Sequence, residues 1–116
     1  MVGVIHRDGE PLVPQVWLAN RFWSRLRGLL LRPPLRGEAL QALWLRPCAS
    51  VHTFGMCYPL DIVFLDRAGR VLDWCENLHP WRARGCRGAF QAVELAPGGI
   101  AALAPNRGEI WQWQTA

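Results

Sequence analysis

Apolar residues in this chain fall into short alternating stretches broken by proline and glycine, with one stretch at helical spacing. Residues 12–19 alternate around Val16 and Leu18 and read as a strand. Pro11 and Pro14 place its start at a sheet edge, because proline has no ladder amide to give. Asn20 is suited to cap a helix in which Phe22, Leu26, Leu29 and Leu30 share one face and Arg21, Arg25 and Arg32 another. Gly28 lies near the end of that helix, and Pro33 and Pro34 stop it. Beyond Gly37 the pattern turns to strands, at 42–46 and 49–54 with Pro47 between them, and most clearly at 60–66, LDIVFLD. Arg67-Ala68-Gly69-Arg70 predicts a hairpin turn with positive φ at Gly69, and 71–76 returns beside the first arm. Residues 79–88, HPWRARGCRG, read as a loop rich in Arg and Gly. Strands follow at 89–95 and 109–113, a single helical turn at 99–103 and a reverse turn at 105–108. The expected fold is α+β but mainly β: small, mostly antiparallel, with one or two short helices and partial closure into a barrel.

The 116 residues fit one domain, with 1–11 as a loose polar lead-in. With 51% hydrophobic and 19% charged residues, disorder through low hydrophobicity is excluded. All 13 basic residues are Arg. That excludes a lysine Schiff base, a Walker A loop and a lysine general base, since a guanidinium neither deprotonates nor acts as a compact point charge. Residues 1–14 include His6, Arg7, Asp8 and Glu10 and do not read as an export signal. The longest apolar stretch, 39–54, is interrupted by Arg46 and Pro47, so no transmembrane segment is expected. The expected setting is the cytoplasm, with Cys48, Cys57, Cys75 and Cys86 as reduced thiols.

The run VHTFGMCYPLDIVFLD, which begins at Val51, followed by Ala68-Gly69-Arg70-Val71, resembles the signature of the DUF192 family: a Met, a Pro-Leu-Asp and a hydrophobic strand in that order. The likeness extends upstream to Arg25-Leu26-Arg27-Gly28-Leu29 and downstream to Val93-Glu94-Leu95-Ala96-Pro97-Gly98 and Gly108-Glu109, covering residues 15–113. Three ordered motifs together are specific where one would be weak. The chain departs from the pattern at Gly108-Glu109, where Gly-Asp is usual, and at Cys57, where a polar or basic residue is common. The resemblance implies a compact β-rich domain and specifies no reaction.

His52, Asp61 and Glu94 are the polar residues set inside the apolar motif runs. Strand alternation puts Asp61 on a face with Val63 and Leu65, and Glu94 on a face with Phe90 and Ala92, so both carboxylates are expected to be partly buried. Converging, the three residues suit general acid/base work or a divalent metal. Dispersed, they are structural: Asp61 ties down the turn at 55–59 through its amides, Glu94 pairs with an Arg, and His52 is a satisfied core histidine. The structural reading carries more weight, because buried polar groups are often hydrogen-bond or ion-pair devices.

Met56, Arg25 and Arg27 complete the candidate binding set. Cys48 and His52, and Cys75 and His79, are each four residues apart; on a strand that spans ~13 Å, which disfavours one zinc ion taking both members of a pair. The residues specify no cofactor. Arg21, Arg25, Arg27, Arg32 and Arg36, and separately Arg82, Arg84 and Arg87, form basic stretches that suit a nucleic acid, an acidic lipid or an acidic protein. A net charge of only +4 and the lack of a nucleic-acid motif rank nucleic acid lower. Trp111 and Trp113 share a face and are expected to pack. The leading expectation is a non-enzymatic binding or accessory module that engages a protein partner or small ligand near His52, Met56, Asp61 and Glu94. One alternative is a hydrolase-like enzyme using the same residues as acid, base or metal ligands; the other is an Arg-mediated nucleic-acid binder.

Overall fold

A computed structural model describes residues 2–20 and 34–115. Its strands are β1 (Val2–Arg7), β2 (Glu10–Ala19), β3 (Gln41–Leu45), β4 (Ser50–His52), β5 (Leu60–Leu65), β6 (Val71–Leu78), β7 (Ala83–Gly85), β8 (Gln91–Leu95) and β9 (Trp111–Thr115), with one short helix, α1 (Gly99–Leu103). Seven strands make one sheet in the order β6-β5-β8-β3-β2-β1-β9, and β4 and β7 pair separately. The fold is mainly β, and every neighbouring pair except the parallel β2 and β3 is antiparallel. A parallel neighbour needs a long connection, in keeping with the separation in sequence between the end of β2 at Ala19 and the start of β3 at Gln41. The predicted helix, with Arg25 and Arg27, falls at 21–33 and lies outside the described residues.

Both faces of the sheet are covered. Ile5, Val16, Trp44, Val63, Val93, Leu95 and Trp111 pack on one face; Leu43, Leu45, Met56, Leu60, Ile62, Phe64 and Ala92 pack on the other. This explains LDIVFL. β5 lies between β6 and β8 with all six side chains buried, and a strand covered on both faces is apolar almost throughout. The β5–β6 turn is held by Asp66, whose Oδ1 accepts from Ala68 and Arg70 amides at 2.9 and 2.8 Å, with Gly69 at φ 88.

Two expectations need correction. Residues 2–7 are not a loose lead-in but β1, inside the sheet between β2 and β9, with Ile5 fully buried. Its apolar positions Val2, Val4 and Ile5 are flanked by charge, and composition hid the strand. Residues 79–88 contain β7, which pairs with β4 through Val51 and Arg84. The prolines are accounted for by register: β3 joins β2 only from Gln15 onward, so Pro11 and Pro14 sit where β2 has a neighbour on one side. As to barrel closure, edge strands β6 and β9 meet only at one end, through the bridge Arg70 to Ile110 and the bond from the Trp111 amide to the Gly69 carbonyl at 2.8 Å.

Candidate functional site

Asp61, the second residue of β5, is 1% exposed, and its carboxylate is committed to backbone. Oδ1 accepts from the Asn77 amide at 2.8 Å, and Oδ2 accepts from the Gly98 and Ile100 amides at 3.1 and 3.0 Å. The first amides of a helix have no partner inside it, and Gly98 has no side chain to cap α1. Asp61 supplies that cap from another strand while fixing Asn77, itself left-handed at φ 57, at the end of β6. The expected tie to the 55–59 turn is therefore wrong; the carboxylate serves a helix start and a strand end remote in sequence.

Glu94 occupies the other face. Antiparallel register sets Ile62 and Leu43 opposite it, whereas Asp61 is opposite Leu95. Directly opposed residues project to the same side, so the two carboxylates leave the sheet in opposite directions. Glu94 is 4% exposed and in no ion pair among the described residues; Arg21, Arg25, Arg27 and Arg32 lie outside them. Burial alone raises its carboxyl from the ordinary 4.5 to about 8, so it is mostly protonated at neutral pH. Nearby, burial and then the charge of Glu94 raise Tyr58, whose buried hydroxyl has no hydrogen-bond partner among the described residues. Met56 packs in the apolar cluster on this same face.

His52 belongs to neither group. It is exposed on β4, so it is not a core histidine. Its ring lies 5.1 Å from Phe54, and Phe54 stacks 6.1 Å from Trp81. Phe54 and Trp81 are 48% and 64% exposed. Between His52 and Phe54, Thr53 is fully buried and joins the two segments. Its amide donates to the Arg82 carbonyl at 2.8 Å, and its carbonyl accepts from the Trp81 amide at 3.1 Å. Its hydroxyl donates to the His79 carbonyl at 2.6 Å and accepts from the Arg82 amide at 3.0 Å. Trp81 is held at φ 62, a left-handed conformation that few side chains adopt without such support.

The sequence candidates thus occupy three places: Asp61 on the first face, Glu94 and Met56 on the second, His52 at the surface. Sequence reasoning missed Thr53, Phe54, Trp81 and Tyr58. The available signal was Pro80-Trp81-Arg82, a large aromatic residue in an otherwise polar loop. Among the described residues no three His, Cys, Asp or Glu side chains group as metal ligands. The departure at Glu109 also has a use: its carboxylate accepts from the Trp111 indole at 2.9 Å and faces Arg7 at 3.8 Å. No helix is long and apolar enough to cross a membrane among the described residues.

Solved structures share this fold. A protein of unknown function from Novosphingobium aromaticivorans superposes with a TM-score of 0.80 at 21% identity, over 97% of this chain and 84% of that one. A candidate transcription regulator from Sinorhizobium meliloti gives 0.82 at 18% identity, over 97% and 94%. At these identities the likeness is one of fold alone. A UPF0127 protein of Thermococcus sibiricus is 31% identical over 94 residues, 79% of this chain and 60% of that protein, so the match leaves a large part of that relative uncovered. A UPF0127 protein of Pyrococcus horikoshii is 30% identical over 103 residues, 87% of this chain and 89% of its own. The family described as DUF192, Uncharacterized ACR, matches residues 3–113, and the chain belongs to it.

Proposed function

We propose that this protein is a non-enzymatic binding module of the cytoplasm whose working surface is the aromatic group His52, Phe54 and Trp81, and that its partner is an acidic protein segment carrying an apolar side chain. The observation that carries this reading is the contrast between Asp61, whose oxygens are used by three backbone amides, and Trp81, a large ring held out in solvent on a braced, left-handed residue. Exposed aromatic rings on a rigid support are what binding hot spots are made of. Charge gives the partner its sign: exposed His52 adjoins Phe54, exposed Arg82 follows Trp81, the backbone of exposed His79 is bonded to Thr53, and residues 79–88 contain no acid. Less supports the hydrolase-like alternative, because Asp61 and Glu94 project from opposite faces and His52 from a separate sheet.

The test is selection of short peptides on the immobilised protein from a random library. Enriched sequences are expected to pair Asp or Glu with an aromatic or large aliphatic residue, and to lose about tenfold or more in affinity against Trp81→Ala at unchanged melting temperature. Enrichment of peptides that bind Trp81→Ala equally well would overturn the reading. So would a preference for single-stranded polynucleotide with a steep salt dependence, the signature of the nucleic-acid alternative.

A further inference from the structure

A second site lies at the opposite end of β5 from the aromatic group, ~17 Å away along the strand. There the β5–β6 turn, the end of β3, the start of β8 and strand β9 enclose an open cleft of about 310 Å³. Its accessible lining is mostly polar, and the side chains buried beneath it have no hydrogen bonds to spare. Trp44 and Trp111 are buried, and their indole N–H groups are spent on Gln91 and Glu109. Gln91 is spent too, since its amide nitrogen donates to the Asp66 carbonyl at 2.9 Å. Trp113, half-buried, donates its indole N–H to the Val16 carbonyl and leaves its ring as a wall. One wall exists only because residue 69 is glycine: a Cβ there would meet the Trp111 carbonyl oxygen at 2.3 Å.

The groups left over all suit an anion. Arg46 and Arg67 line the cleft, and among the described residues neither takes part in an ion pair. The Arg67 guanidinium lies 3.9 Å over the Phe90 ring, which holds it in place without neutralising it. No acid lines the cleft. β9 is an edge strand with β1 on one side only. The Trp111 amide points to the free side, toward Gly69, so by the two-residue period the Trp113 amide points there as well.

We infer that this cleft binds a small organic anion, its oxyanion taken by Arg46, Arg67 and the free edge of β9 and its apolar body laid against Trp113. A guanidinium fork matches a carboxylate or phosphate in two-point contact, and an unpaired cation in a concave, acid-free site is where such a contact is worth most. The site is separate from the aromatic surface and does not depend on the function proposed for it.

The experiment is NMR titration of the whole protein with benzoate, phenyl phosphate and the neutral benzamide, following the Trp113 indole and backbone amides. At least one anion is expected to bind and shift these signals; which anion binds tighter tells a carboxylate site from a phosphate site. Benzamide is expected not to bind. Arg46→Gln and Arg67→Gln are each expected to weaken binding about tenfold or more, as for a lost charge-assisted hydrogen bond, with melting temperature unchanged for Arg46→Gln, which breaks no ion pair, and slightly lowered for Arg67→Gln, which loses its contact with Phe90. Trp81→Ala is expected to leave anion binding untouched, which separates this site from the aromatic one. The inference fails if neither anion binds, if benzamide binds as well as benzoate, or if both Arg variants keep full affinity.

Discussion

Glu94 is the residue whose chemistry departs furthest from its type. A carboxyl raised by burial binds a proton in the folded state that the unfolded chain has already lost. Below pH 4.5 both states are protonated and folding bears no cost from this group. Between 4.5 and about 8 the folded state holds more protons, so stability falls as pH rises, by on the order of several kcal/mol across the window. Glu94→Gln keeps the shape and cannot ionise. Its melting temperature is expected to exceed that of the parent above neutral pH and to lose this part of the pH dependence; melting curves recorded from pH 5 to pH 9 check it. Asp73 carries the opposite sign. The Trp74 amide, Arg107 and Arg84 hold its carboxyl below the usual range despite some burial, so its contribution is full at neutral pH and is lost in acid, below about pH 4.

At the scale of elements, the small β4–β7 sheet is the part that local sequence describes least. Ser50–His52 lies inside the stretch 49–54 that reads as a strand, but Ala83–Gly85 is too short to show a period, and nothing local pairs the two or marks Thr53 as the residue that joins them. Thr53→Val removes the hydroxyl and leaves the Arg82 amide and His79 carbonyl without that partner, at a local cost of about 1–3 kcal/mol. Hydrogen exchange at Trp81 and Arg82 is expected to speed up while amides of β5 and β8 keep their protection; equal loss everywhere would mean that the small sheet and the main sheet unfold as one unit. By contrast β5, β6 and their turn were legible, because an unbroken apolar run and Gly69 both report local geometry, although the part Asp66 plays in holding the turn was not read. β1 was not, since its place between β2 and β9 depends on contacts with the other end of the chain.

For the whole molecule, strand alternation in the sequence already put Asp61 with Val63 and Leu65 and Glu94 with Ala92. It could not say that those faces are opposite sides of one sheet, because that depends on β5 pairing with β8 in the register Ile62 to Glu94. One register step would have put both acids on the same side. The three-residue acid/base constellation therefore dissolves at this scale, into a helix cap, a buried protonated acid and an exposed ring. Among the described residues, the two surfaces proposed for partners are the aromatic group at one end of β5 and the Arg-lined cleft at the other. The most direct test of this division compares Trp81→Ala with Asp61→Asn, measuring the affinity of each for a peptide selected on the parent protein. Trp81→Ala is expected to lose affinity by about tenfold or more and keep its melting temperature; Asp61→Asn is expected to melt several degrees lower and, below that melting point, to bind as the parent does. Full affinity in Trp81→Ala together with lost affinity in a folded Asp61→Asn would contradict the account.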